Sequence, residues 1–346
     1  METAWFCVVA VMIAVYVVLD GFDLGAGIIH LLVAHTDEER RTVLSTIGPV
    51  WDGNEVWLLA AGGTLFFAFP ALYASSFSGF YLPLMMVLWL LILRGIAIEF
   101  RNHLRSDVWQ PLWDAVFAGS SALLAVFFGA ALGNVVRGVP LDGNGEFFLP
   151  LWTDWTAGPD AGILDWFTVM IGLAALVSLA MHGAAWVAMR SEGLVAARAR
   201  RLAGAAWWGV CAAVVAITLA SFRVQPHLSA SFAARPWGYV FPLAAVAGLA
   251  GVKLMSRAGK ERAAFLASCA FLTGMLTSAA FGMFPYVLPS NGNPAHSLTV
   301  RNASTAAYGL RVGIYWFVPG ILLATGYFIY TYRSLSRKVS GGEESY

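Results

Sequence analysis

The chain has 346 residues, 59% of them hydrophobic and only 12% charged, with a formal net charge of +1 and a mean hydropathy of +0.70. A charged share about half that of ordinary soluble domains leaves too little polar surface for a water-soluble fold. The same figures exclude disordered, collagen-like and disulfide-scaffold classes, and the near-neutral charge gives no footprint for nucleic acid. The fold class is therefore an all-α polytopic membrane protein.

Met1-Glu2-Thr3-Ala4-Trp5 runs straight into apolar sequence without a basic leader, so the first run reads as a retained helix, not a signal peptide. Crossing ~30 Å of hydrocarbon takes about 20 mostly apolar residues. Such runs lie near 4–34, 46–72, 77–98, 113–136, 163–189, 203–222, 237–256, 263–285 and 309–332. These nine spans define a single integral-membrane domain over 1–346, suited to two four-helix bundles plus one further helix. Pro49, near the start of the second span, needs no helical hydrogen-bond donor there.

Basic residues orient the spans. The loops after spans one, three, five and seven, with the C-terminal tail, hold Arg40, Arg41, Arg101, Arg105, Arg190, Arg198, Arg200, Arg201, Lys253, Arg257, Lys260, Arg262, Arg333, Arg337 and Lys338, 15 of the 21. The opposite side holds Arg137, Arg223, Arg235, Arg301 and Arg311, and Arg94 falls within span three. The N-terminus is expected outside and the C-terminus in the cytoplasm. The two longest loops, about 137–162 and 286–308, then lie outside.

Intramembrane acids are costly, about 2.5–3.5 kcal/mol at the bilayer centre on insertion scales, and mark functional sites by default. Here they cluster toward the cytoplasmic half: Asp20 and Asp23, then Asp52 and Glu55, then Glu99. Asp20 and Asp23 are three apart, as are Asp52 and Glu55, while Glu99 and His103 are four apart, so each pair shares a helix face. Gly21 and Gly25 form a small-xxx-small step for close helix approach. Carboxylates with a histidine, open to one aqueous side, suit proton conduction. The alternative for Asp20, Asp23, Asp52 and Glu99 is ion pairing with Arg40, Arg41, Arg94 or Arg101. Glu55 reads as such a structural ion-pair partner, and Arg94 and Arg101 read as pairing or snorkelling residues.

Cys7, Cys211 and Cys269 are isolated in apolar runs and read as buried small hydrophobes, with no CxxC or CxxCH for zinc, thioredoxin-like or c-type haem chemistry. Of the six histidines only His30 and His182 are clearly intramembrane, and His182 reads as a hydrogen-bonded core residue rather than a metal ligand. No cofactor or metal is assigned to this chain.

Several segments go further. Asp20-Gly-Phe-Asp-Leu-Gly-Ala-Gly27, Ile47-Gly-Pro-Val-Trp-Asp-Gly-Asn-Glu-Val-Trp-Leu58, Phe69-Pro-Ala-Leu-Tyr-Ala74, Phe77-Ser-Gly-Phe-Tyr81, Met181-His-Gly-Ala184 and Phe284-Pro-Tyr-Val-Leu-Pro-Ser290 with Ser297-Leu-Thr299 closely resemble subunit II of cytochrome bd-type quinol oxidases. They occur in family order along nearly the whole chain. The resemblance implies a haem-free subunit of a respiratory complex in the bacterial or archaeal cytoplasmic membrane. Its homologous partner, subunit I, would carry two haem b, one haem d and the quinol site. The complex would oxidise quinol and reduce oxygen to water, and subunit II would stabilise it and line a cytoplasm-facing proton path. Carried over residue by residue, that path includes Asp52, Glu99 and, four positions on, His103, where some relatives have lysine. Asp23 joins it from the glycine-rich acidic segment. Asp20, Trp51, Asn54, Arg94 and Arg101 are supporting residues. This sequence assigns no residue to a structural quinone, found in some relatives, or to a small accessory subunit, and the donor quinol and oxygen meet the partner. A rival class is a proton-coupled secondary transporter acting without a haem-bearing partner, which acids near glycine-broken helices would also suit.

Overall fold

In a bilayer every backbone polar group must be satisfied within the segment, so an apolar chain spans as helices and keeps small and polar side chains for contacts between them. The computed structural model describes residues 1–334 and Lys338; Arg337, counted above with the cytoplasmic basic residues, lies outside the described residues. In chain order the helices are α1 Glu2–Val33, α2 Asp37–Ile47, α3 Trp51–Ala68, α4 Pro70–Gly79, α5 Tyr81–Phe100, α6 Trp109–Arg137, α7 Trp166–Arg190, α8 Gly193–Val224, α9 His227–Ala234, α10 Val240–Arg257, α11 Glu261–Met283 and α12 Ala307–Ser334. A short antiparallel hairpin pairs β1, Tyr286–Leu288, with β2, Leu298–Thr299.

Among the described residues eight helices are long and apolar enough to cross a membrane: α1, α5, α6, α7, α8, α10 with the turn before it, α11 and α12. The span expected over 46–72 is not one helix. Residues 46 and 47 finish α2, the chain turns at Gly48-Pro49-Val50, and α3 and α4 meet at a 120° bend. Proline explains the bend. Pro70 has no N–H to continue α3 and disfavours helical geometry at Phe69, which sits at φ −132°, ψ 63°; Pro70 then opens α4, where its missing donor costs nothing. The ninth crossing exists only if α3 and α4 count as one broken span.

Helix α1 is central, packing against α3, α6, α7 and α11. Its crossing with α7 is closest at Gly25, where an added Cβ would strike the Leu179 carbonyl and the backbone of Gly183. This is the close approach that the Gly21–Gly25 step implies. Many large apolar side chains point outward, with Leu59, Trp89, Trp208 and Trp316 all exposed. Cys7 is likewise exposed and Cys211 and Cys269 half-buried, so the expectation of three buried thiols fails. On a membrane helix an outward position meets lipid rather than water, so apolar sequence does not imply burial within the chain.

The two ends of the helical array differ. At one end Trp5, Val139, Phe147, Ile163, Leu288, Leu298 and Leu310 form one core, joining the start of α1 to the long loops and the start of α12. There Arg137 pairs with Asp165, which also caps α7. At the other end Val33, Val43, Ile47, Ile98, Trp186 and Val195 form a second core beside the arginine-rich loops.

Candidate functional site: a buried polar cluster between α1, α3, α5 and α12

Asp20 and Asp23 lie two-thirds of the way along α1, both essentially without exposed surface. Arg94 of α5, also fully buried, donates from Nη1 to Asp20 Oδ2 at 2.9 Å and from Nη2 (the NH2 nitrogen) to Asp20 Oδ1 at 2.7 Å. This bidentate fork is the strongest geometry available to a carboxylate and a guanidinium. NH2 also donates to Glu55 Oε2 of α3 at 3.1 Å. Asp20 and Glu55 are thus ion-pair partners of Arg94, one of the two expectations for Asp20 and the expectation for Glu55.

Asp23 is held differently. Its Oδ2 accepts from Asn54 Nδ2 at 2.7 Å, and its Oδ1 has no hydrogen-bond partner among the described residues. Tyr332 of α12 donates its hydroxyl proton to Asn54 Oδ1 at 2.7 Å, which turns the amide N–H₂ toward Asp23. The same N–H₂ reaches the Leu19 carbonyl at 3.4 Å. Trp51, half-buried, packs beside Gly95 of α5, where a Cβ would meet its ring at 3.4 Å. It brings the first turn of α3 beside α5.

The other expected path residues stand apart. Asp52, Glu99 and His103 are exposed. Asp52 Oδ1 accepts from the Gly53 main-chain N–H at 2.7 Å. His103 Nδ1 lies 3.0 Å from the Glu99 main-chain carbonyl, to which it donates, so the shared face of this pair yields a backbone contact. Asp23, Asp20, Asn54 and Arg94 therefore meet in one cluster, while Asp52, Glu99 and His103 lie on the outer surface of the chain.

Arg101 is an ion-pair partner, as expected, but of other acids. It supports no path acid but is buried in a second network, donating from Nε to Asp114 Oδ1 at 2.6 Å and from NH2 to Asp37 Oδ1 at 2.8 Å. Asp114 also accepts from Arg40 at 3.0 Å and lies 2.7 Å from His30 Nε2. Sequence reasoning passed over Asp114 because it lies in the second turn of α6, at the edge of an apolar run; its neighbours in space, His30, Arg40 and Arg101, come from α1, α2 and the end of α5. Tyr332 was missed because one of many aromatic residues in an exposed helix carries no distinguishing signal. His182 is the core residue expected, with Nδ1 2.7 Å from Ser268 Oγ and Nε2 2.9 Å from the Val18 carbonyl.

An array of long apolar helices with a charged cluster buried in its interior defines a polytopic membrane protein. Residues 1–335 match the family described as cytochrome bd terminal oxidase subunit II, and the chain belongs to that family. It is 32% identical to the probable cytochrome oxidase subunit 2 of Haemophilus influenzae, over 96% of this chain and 93% of the relative. It is 31% identical to the cytochrome bd-I ubiquinol oxidase subunit 2 of Escherichia coli K12, over 93% and 92%. It is 29% identical to the cytochrome bd ubiquinol oxidase subunit 2 of Bacillus subtilis, over 98% and 97%. A chain of the bd oxidase structure from Geobacillus thermodenitrificans superposes with a TM-score of 0.73 at 16% identity, covering 96% of this chain and 97% of that one, which is a likeness of fold.

Proposed function

We propose that this chain is the haem-free subunit II of a quinol:oxygen oxidoreductase, stabilising a haem-bearing subunit I and carrying a cytoplasm-facing proton path for oxygen reduction. The observation that carries the reading is the family membership over residues 1–335 together with acids placed both on the surface and inside the chain. Asp52, Glu99 and His103 are the entry groups, exposed where a partner helix or cytoplasmic water can meet them. Asp23 is the interior member, with Asn54 holding one carboxyl oxygen and the other free to carry a proton. The imidazole at position 103 can donate or accept a hydrogen at its two ring nitrogens, where a lysine would only donate. Asp20, Asn54, Trp51 and Arg94 hold this arrangement, while Arg101 ties helix ends.

The haems and the quinol site belong to the partner in this reading, and the chain alone is not catalytic. It sits in the cytoplasmic membrane with the N-terminus outside, because the basic residues gather at the end of the array opposite the two long loops. The helices then form two four-helix groups plus one. A proton-coupled transporter would use the same acids but leaves the family membership unexplained.

The test is purification of the tagged chain in mild detergent from its native membranes, followed by a gel and a dithionite-reduced absorption spectrum. Co-purification of a larger subunit with b- and d-type haem bands is the expected result. A colourless preparation of this chain alone, from membranes that express it, contradicts the assignment.

A further inference from the structure

We infer that Glu55 is the carboxyl through which the buried Asp20–Asp23–Arg94 cluster exchanges its proton with the surface. The inference rests on the proton-path reading above and adds a residue that the path does not contain. Charge counting carries it. Three carboxyls, Asp20, Asp23 and Glu55, share a site with one guanidinium, and Asp20 and Arg94 are wholly buried. One cation neutralises one anion, and an uncompensated carboxylate in a low-dielectric interior binds a proton instead.

The geometry says which carboxyl gives way. Asp20 occupies both arms of the Arg94 fork at 2.9 and 2.7 Å. Glu55 receives only one bond, at 3.1 Å, from an NH2 already shared, and its side chain is 25% exposed. Asp23 is sealed, but its Oδ1 is unpartnered and so available to hold the hydrogen. Asp52, three residues before Glu55 on the same face of α3, is exposed and lies within electrostatic reach of it. The groups around Asp23 and Glu55 are Tyr16 and Asp20 of α1, Asp52 and Asn54 of α3, Arg94 of α5 and Tyr332 of α12. Arg94 is the single cation among them.

Proton transfer from the Glu55 carboxyl to the Asp23 carboxylate breaks one O–H bond at Glu55 and forms one at Asp23 Oδ1, leaving the charge of the cluster unchanged. The Glu55 carboxylate then reloads from the exposed side. Arg94 stays on Asp20 throughout and supplies the fixed positive charge that both anionic forms share.

The experiment uses the assembled oxidase complex carrying Glu55→Gln, Glu55→Asp, Asp52→Asn or Asp23→Asn, with oxygen consumption measured across pH and carboxyl C=O bands recorded by infrared difference spectroscopy. Glutamine retains an acceptor for Arg94, so a purely structural Glu55 tolerates it. The inference predicts a turnover loss of at least about tenfold for Glu55→Gln with a flattened pH profile, and in Glu55→Asp a recovered turnover whose pH profile is displaced from that of the wild type. It also predicts that the carboxyl band lost in Asp23→Asn no longer responds to pH in Glu55→Gln. Wild-type turnover, pH profile and band response in Glu55→Gln overturn it; if Asp52→Asn is then impaired, the wider path survives. Wild-type behaviour in all the variants overturns both. Should Glu55→Gln fail to assemble, Glu55→Asp decides by its pH profile, which the inference requires to shift and a structural role leaves in place.

Discussion

Arg94 and Asp20 meet through two hydrogen bonds of 2.9 and 2.7 Å, with neither side chain exposed, linking α5 to α1 in the interior of the helical array. The pair joins two helices that otherwise make their main contacts with α6 and α7. Its consequence is an intolerance of one-sided change.

Removing Arg94 alone leaves Asp20 as an uncompensated buried charge. Arg94→Met is expected to destabilise by about 3–5 kcal/mol, seen as loss of assembled complex and a lower thermal midpoint in detergent. Replacing both partners, Arg94→Met with Asp20→Leu, should recover much of that loss, because well-packed apolar groups can substitute for a buried pair. If the double variant is as unstable as the single one, the pair is not the source of the effect.

Gly25 and Gly183 set the distance between α1 and α7. Gly25→Val places a branched side chain against the Leu179 carbonyl, where the neighbour is backbone and cannot give. Overpacking of this kind costs typically about 1–3 kcal/mol or more. Gly53→Ala meets open space and should leave stability unchanged. Parallel thermal unfolding of the two variants checks the contrast.

Helix α2 begins with a capping box, in which Thr36 Oγ1 accepts from the Glu39 N–H and Glu39 reaches back to the Thr36 N–H. Thr36→Ala should cost about 1 kcal/mol. The Glu39 carboxyl is held below its usual range by the main-chain N–H of His35 at 2.7 Å, and further by Arg198, also at 2.7 Å, and the Thr36 N–H at 3.3 Å. The folded value lies under the unfolded one, so the contribution is complete above about pH 4.5 and fades as pH falls through the folded value. Wild-type complex should therefore lose stability in acid more than Glu39→Gln does, which a pH series of unfolding midpoints measures.

The fold was legible wherever one physical rule dominated. Eight long helices follow from apolar length, and a close helix approach at α1 from Gly21 and Gly25, although the spacing does not say that α7 makes it. The broken second crossing was not, because Pro70 sits inside a run whose composition stays apolar on both sides. The site was legible in part. Asp20, Asp23, Asn54 and Arg94 are unusual enough in apolar helices to mark themselves, and they meet. Sequence spacing shows which residues share a helix face but not which way that face turns, so Asp52 and Glu99 emerge on the surface and Arg101 joins Asp114. Tyr332 lies 278 positions from Asn54 along the chain, a contact made only by folding.

Asp52 is the residue on which the proton path depends most directly. A neutral amide cannot relay a proton through its own ionisation, so Asp52→Asn in the assembled oxidase should reduce oxygen consumption and the charge movement coupled to it by about a hundredfold. Haem content should be unchanged. Glu99→Gln should reduce both in the same direction. Wild-type oxygen consumption and charge transfer in both variants, at normal assembly, would contradict the proton path through this chain and leave it a structural partner only.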